Sequence, residues 1–179
     1  EPVRVRGDGR GRHRAAAAGG RAARRVALLC AVGAGVGAVY RADDDETKEL
    51  VERYIKFLKE YKIKCKTLGY YNRDELPLYV TPKLEFDYFL KKDLNWKLET
   101  KVPEVLNFVQ SEFDILIDTT VKEDRVIRFI VKQSRAQFKV GCAKKELSDL
   151  DFTINLQPEE GVRQLMKGLD NYLHLINKN

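Results

Sequence analysis

The chain has 179 residues, 44% of them hydrophobic and 34% charged. That is enough apolar material for one domain around a single core, and it excludes a disordered body. The net charge of +6 arises wholly within residues 1–39, where eight Arg stand against Glu1 and Asp8 and the remainder carries 25 basic and 25 acidic side chains; a neutral body has no electrostatic footprint for a phosphate backbone, so nucleic acid is excluded as its expected partner.

Residues 1–35 are built mainly from Arg, Gly, Ala and Val and contain no Lys, Ile, Phe, Tyr or Asn. Such a composition buries too little surface to offset chain entropy. It predicts a disordered tail or leader, or a segment foreign to the natural protein. Arg24 and Arg25 precede an uncharged run over 26–40. That run is too short for a comfortable membrane span and acceptable for a signal core. Cleavage near Ala38 would, however, remove part of the first predicted strand. Gly33, Gly35 and Gly37 echo a dinucleotide fingerprint, which needs a helix starting at the glycines. Here they run into Val39-Tyr40-Arg41, and chance composition explains them better.

The domain itself is expected over 36–179. A strand over 37–42 leads into Asp43-Asp44-Asp45-Glu46-Thr47, where Asp supplies an N-cap and acids complement the helix dipole. Leu50, Val51, Tyr54, Phe57, Leu58 and Tyr61 recur at helical spacing. A second strand covers 62–71 and a turn 72–75. Residues 76–81 form a short extended piece flanked by Pro77 and Pro82, and 84–96 reads as an irregular segment with a helical turn or two. Pro103 suits the first turn of a helix through Val105, Leu106, Phe108 and Val109. The apolar centre of 113–118 predicts a strand covered on both faces. A helix over 123–135, strands over 138–142 and 152–156, and a last helix opened by Pro158 follow. The last helix carries Val162, Leu165, Met166, Leu169, Tyr172, Leu173 and Ile176 at i, i+3, i+4 spacing. The fold class is therefore α/β: a three-layer sandwich with a mostly parallel five-stranded sheet, flavodoxin-like or Rossmann-like, in the order 2-1-3-4-5.

Cys30, Cys65 and Cys142 are odd in number and lack CxxC or zinc spacing. Cys65 and Cys142 fall in predicted buried strands, where Cys acts as a small hydrophobe, and this favours a reducing compartment.

Val39-Tyr40 before an acidic helix start, Leu68-Gly69-Tyr70-Tyr71, Lys92-Asp93-Leu94-Asn95-Trp96 and Phe113-Asp114-Ile115-Leu116-Ile117-Asp118 together resemble an uncharacterised family of small α/β proteins from Bacteroidota. The resemblance covers about four-fifths of the chain. It implies a cytoplasmic bacterial protein and carries no activity. Residues 1–35 depart from the family, whose members begin with a Lys-rich helical segment. The stretch from Phe113 to Asp118, with Phe138-Lys139-Val140-Gly141, is also similar to the N-terminal half of heptosyltransferase-like glycosyltransferases. Those enzymes hold the sugar nucleotide mainly in a second domain, which a chain of this length cannot contain, so this likeness implies fold rather than reaction.

Ligands of open α/β sheets bind beyond the carboxyl ends of the strands. Asp43, Asp44, Asp45, Asp118, Thr119, Thr120 and Asn155 are predicted there, and strand-end acids could hold magnesium. A receiver-like site also needs a lysine at the last strand end, whereas Lys144 and Lys145 follow a different strand. The competing reading is helix capping. His13 lies in the tail and His174 off the apolar stripe; Ser111, Ser134 and Ser148 lack nucleophile-elbow glycines. No catalytic residue, cofactor or defined metal site is expected. Tyr70, Tyr71, Tyr79, Tyr88 and Trp96 mark an aromatic-rich middle segment, read either as packing or as a surface for an unknown protein partner. The leading expectation is a non-enzymatic binding or interaction module, with no membrane contact from 36–179. The alternative is a small phosphate- or magnesium-binding domain using the strand-end acids.

Overall fold

Along β1 (Gly35–Arg41), Val36, Ala38 and Tyr40 alternate with Gly37 and Val39, so the two sets face opposite sides of the sheet. Both sets are buried. A strand buried on both faces needs cover on both, and this one strand therefore dictates three layers. The computed structural model describes residues 35–176 except 61, 82 and 145–148, with the backbone alone from 172 on. Residues 1–34 of the tail expected over 1–35, with Cys30 and Gly33, lie outside the described residues, as do Tyr61, Pro82, Lys145, Ser148 and the side chains of Tyr172, Leu173, His174 and Ile176.

After β1 come α1 (Asp45–Glu60), β2 (Lys64–Tyr71), β3 (Phe86–Leu90), a 3₁₀ turn (Lys91–Asp93) and α2 (Pro103–Gln110). Then follow β4 (Ile115–Asp118), α3 (Arg125–Gln133), β5 (Lys139–Cys142), β6 (Phe152–Ile154) and α4 (Val162–Ile176). Asp44 caps α1, accepting from the Thr47 amide at 3.3 Å and from the Thr47 hydroxyl. Asp124 caps α3, accepting from the amides of Val126 and Ile127 at 2.9 and 3.0 Å. Pro103 opens α2, where its missing N–H has no intrahelical role. α1, α2 and α3 each begin where the sequence supplies a cap or a fixed φ.

Among the described residues the six strands form one sheet in the order β3-β2-β1-β4-β5-β6, and every neighbouring pair is parallel. This corrects the expected five strands. The additional strand is β3, from the segment expected to be irregular; the five anticipated strands keep the relative order 2-1-3-4-5, and β3 joins at the edge beside β2. Within the expected extended piece over 76–81, residues 77–80 form a turn closed by the Val80 amide on the Pro77 carbonyl at 2.9 Å. The β3 edge is closed at both ends. The Phe86 amide donates to the Lys83 carbonyl at 3.0 Å, and the Leu90 amide to Asp93 Oδ2 at 2.8 Å. Groups occupied in this way cannot template another strand.

One face of the sheet packs under α1 and α4, with Tyr40, Tyr71, Ile117, Val51, Ile55 and Leu165 in the layer. The other packs under α2 and α3, with Val39, Leu68, Leu116, Phe108, Ile127 and Ile130. Gly37 is required in β1 because the Phe113 ring lies over it. A Cβ at Gly37 would stand 2.7 Å from that ring, which in turn packs on Phe108 at 4.9 Å between centroids. Gly35 and Gly37 are thus strand residues, and the phosphate-cradling turn of a dinucleotide site is not built from them. Phe57 and Leu106, expected inside, are partly exposed, since both sit at the rim of their helix's apolar stripe.

Candidate functional site

The chain leaves β1 for α1 on one face and leaves the adjacent β4 for α3 on the opposite face. Diverging connections of this kind open a crevice at the carboxyl ends of the two strands, the usual ligand position in open α/β sheets. Two polar networks fill that position.

The first is organised by Arg41, the last residue of β1. Its guanidinium donates through Nη1 to Asp124 Oδ2 at 2.5 Å and through Nη2 to Asp43 Oδ2 at 2.7 Å. Its Cζ lies 5.1 Å from the centroid of the Tyr70 ring. Asp43 also accepts from the Asn72 amide at 2.8 Å and from Arg73 Nε at 3.1 Å. Burial alone would raise the Asp43 carboxyl, but the Asn72 amide and the two guanidinium groups outweigh it and hold the group below its ordinary value. Burial likewise opposes the charge on Arg41, and Asp124 and Asp43 more than restore it, so its pKa is raised. The other oxygen of Asp124 caps α3. Arg41 therefore ties the end of β1 to the start of a helix on the far side of the sheet.

The second network lies at the end of β4. Asp118 Oδ2 accepts from Lys144 Nζ at 2.5 Å, and Oδ1 from the Thr120 amide and hydroxyl at 2.8 and 2.6 Å. Lys144 Nζ reaches Thr120 Oγ1 at 2.7 Å. The Lys144 and Asp118 side chains are only 9% and 3% exposed. Thr119 turns back onto β1, its amide and hydroxyl donating to the Val39 carbonyl. Two guanidinium groups balance two carboxylates in the first network, and one ammonium balances one carboxylate in the second. Among the described residues, no group of three or more His, Cys, Asp or Glu side chains is arranged to hold a metal ion.

The anticipated site residues are therefore only partly brought together. Asp43 lies in the first network; Asp118 and Thr120 form the second, with Thr119 tying it to β1. Asp44 caps α1, Asp45 is its exposed first residue, and Asn155 is exposed beyond β6 at the sheet's far edge. Arg41, Asn72, Arg73 and Asp124 were not anticipated, and Lys144 was set aside as following another strand. It does follow β5, but β5 neighbours β4 and the lysine reaches sideways to Asp118. Only a residue type hinted at this: each cation stands within three residues of a strand end.

The aromatic segment also divides. Tyr70 and Tyr71 are buried, because β2 is covered on both faces at its end, and they pack rather than present a surface. Tyr88 is half-buried. Tyr79 and Trp96 are exposed, with Lys48 and Lys97 ammonium groups each 5.1 Å from the ring centroid. Leu78 and Leu84 are also open to solvent, at 105% and 92%. Cys65 and Cys142 are unpaired thiols, and burial pushes Cys65 up to about 11 and raises Cys142. Neither is poised as a thiolate at neutral pH.

A family of unknown function, DUF6913, matches residues 34–176. The chain belongs to the DUF6913 family. The match spans the whole described sheet and its helices, so both networks and the exposed segment lie within the matched region. No curated protein and no solved structure matches the chain. Among the described residues no helix is long and apolar enough to cross a membrane.

Proposed function

We propose that this DUF6913 domain is a non-enzymatic binding module that engages a protein partner through the segments flanking β3. The supporting observation is the exposure of Leu78, Leu84 and Trp96, at 105%, 92% and 86%, within twenty residues of one another. Large apolar side chains held in water on a folded scaffold mark interaction surfaces when they recur on one segment. Tyr79 and the half-buried Tyr88 extend the same segment. A bacterial, cytoplasmic setting, within Bacteroidota, accompanies this reading; its support is the family resemblance together with two unpaired thiols.

The test is the triple variant Leu78→Ser, Leu84→Ser, Trp96→Ser, compared with wild type by affinity purification from the native cytosol. The expected result is an unchanged melting temperature and loss of a defined co-purifying protein. Identical recovery from both chains, or recovery of nothing by either, overturns the proposal.

A second reading has one observation in its favour: the networks around Arg41 and Asp118 occupy the crevice between β1 and β4. A phosphate group or magnesium ion bound there would have to displace Arg41 from Asp124 or Lys144 from Asp118. Titration with magnesium and with inorganic phosphate, followed by amide shifts at Arg41, Asp43, Thr120 and Lys144, decides it. Absence of shifts at these four amides removes this reading.

A further inference from the structure

Trp96 is the single tryptophan of the chain, and it stands 86% exposed in a turn that follows β3. The turn is built on Asn95. The Asn95 amide donates to the Glu99 carbonyl at 2.9 Å, and its carbonyl accepts from the Leu98 amide at 2.9 Å. Its side-chain oxygen accepts from the amides of Lys97 and Glu99 at 2.8 and 3.0 Å, and its Nδ2 donates to Glu99 Oε2 at 2.9 Å. Leu98 closes the turn at φ 66°, a left-handed conformation that is costly for any residue with a bulky side chain. Leu94 before the turn and Val102 after it pack into the core beneath α2 and α3. The turn is thus bonded across its neck and pinned at both ends, and it holds an indole out into water. Backbone strain of this kind collects at sites that bind.

The charges around the indole are sorted. From Lys91 to Lys101 the sequence places four Lys and two acids. Both acids are engaged by amide groups of the chain itself: Asp93 accepts from the Leu90 amide at 2.8 Å, and Glu99 from the Asn95 side chain. Lys91, Lys92, Lys97 and Lys101 are all exposed, and none forms an ion pair among the described residues. Lys97 Nζ lies 5.1 Å from the Trp96 ring centroid. A body that is neutral as a whole therefore carries unanswered ammonium groups on the segment that presents its indole.

Resting on the protein-binding reading above, we propose that the turn over 95–99 is a preformed anchor, and that it fits a protein partner with an apolar pocket for the Trp96 indole and carboxylates around the rim of that pocket. Tryptophan is among the residues that dominate binding when seated in a pocket, and holding it in place beforehand removes an ordering cost. Rim charges of one sign steer an acidic partner in and reject a basic one. A bilayer anchor needs a broad apolar face with a polybasic cluster, and a nucleic-acid groove needs several rings in succession. One ring on a turn, with two acids among its four lysines, supplies neither.

The test places the photoreactive residue p-benzoylphenylalanine at position 97 of the full chain, beside an intact Trp96, and irradiates it in native cells. A second chain carries the same probe at position 84. The expected result from position 97 is one protein adduct whose cross-linked peptide holds Asp or Glu beside apolar residues. Trp96→Ala in that chain abolishes the adduct, and Lys91→Glu combined with Lys92→Glu and Lys101→Glu lowers its yield at least about tenfold, with melting temperatures unchanged. The proposal is overturned by no adduct from position 97, by a lipid or nucleic-acid adduct, by a cross-linked peptide without acids, or by an adduct indifferent to either set of substitutions. A protein adduct from position 84 with none from position 97 removes this anchor and leaves the broader reading standing. No protein adduct from either position removes both.

Discussion

Replacing Lys144 by Met isolates a carboxylate in the interior. Asp118 is 3% exposed as a side chain and would keep only its bonds from the Thr120 amide and hydroxyl. Removing one partner of a buried pair leaves an uncompensated charge and typically costs about 3–5 kcal/mol. For a domain of this size about 2–4 °C of Tm accompanies each kcal/mol, so the melting temperature falls by about 6–20 °C. Asp118→Asn is milder, about 1–2 kcal/mol, because the amide oxygen still accepts from Thr120. The Lys144 stem can then carry its ammonium toward water. The double variant Asp118→Asn, Lys144→Met leaves no buried charge and therefore loses less than the sum of the two, by about 1–3 kcal/mol. Urea unfolding followed by far-ultraviolet circular dichroism measures all three; Trp96 is too exposed to report core disruption by fluorescence. A loss below about 1 kcal/mol for Lys144→Met, or additivity within about 0.5 kcal/mol, refutes the reasoning.

Three further outcomes are expected. Gly37→Ala forces a methyl against the Phe113 ring at 2.7 Å and lowers stability by about 1–3 kcal/mol, read from the urea midpoint. Asp43→Asn flattens the acid limb of the stability profile. The folded-state pKa of Asp43 is depressed, so its contribution is full above the ordinary carboxylate value of 3.8 and is lost as pH falls through the lower folded value. Stability measured from pH 5 downward therefore declines less steeply in the variant, and an unchanged slope counts against the Arg41–Asp43–Arg73 arrangement. Cys65, held near 11, is about a thousandth thiolate at pH 8. Its alkylation in the native protein, followed by peptide mass spectrometry, should accelerate about tenfold per pH unit from 8 to 10.

Much of the fold was legible because its signals are local. Apolar residues at helical spacing, Asp at N-caps and Pro103 at a first turn each act within a few residues. β3 escaped because Phe86 to Leu90 has no clean alternation: Phe86, Phe89 and Leu90 are buried, and Asp87 is held at the edge by Lys66 at 3.1 Å. The site was less legible than the fold. That Asp43 and Asp118 sit at strand ends follows from the strand pattern. Their partners do not, since Arg41 meets Asp124 from 83 positions away and Lys144 meets Asp118 from 26. For Tyr70 and Tyr71 the sequence left packing and presentation both open, because aromatic composition does not distinguish a packed ring from a presented one; the structure packs them.

The register of the sheet also orders events in time. Within the half formed by β1, β2 and β3, partners lie 29 and 19 residues apart; within the half formed by β4, β5 and β6, they lie 23 and 12 apart. The seam between β1 and β4 joins residues 79 apart. Loop closure is slowest for the most distant partners, so each half condenses first and the seam zips last. Arg41–Asp124 and Thr119–Val39 cross that seam and act as clasps between two preformed halves. Pulsed hydrogen exchange during refolding should protect Leu116, whose amide bonds the Phe138 carbonyl within one half, before Thr119, whose amide bonds the Val39 carbonyl across the seam, and the reverse order would contradict this sequence of events. A nascent chain emerging from the ribosome would carry its first strand half-satisfied until the fourth arrives.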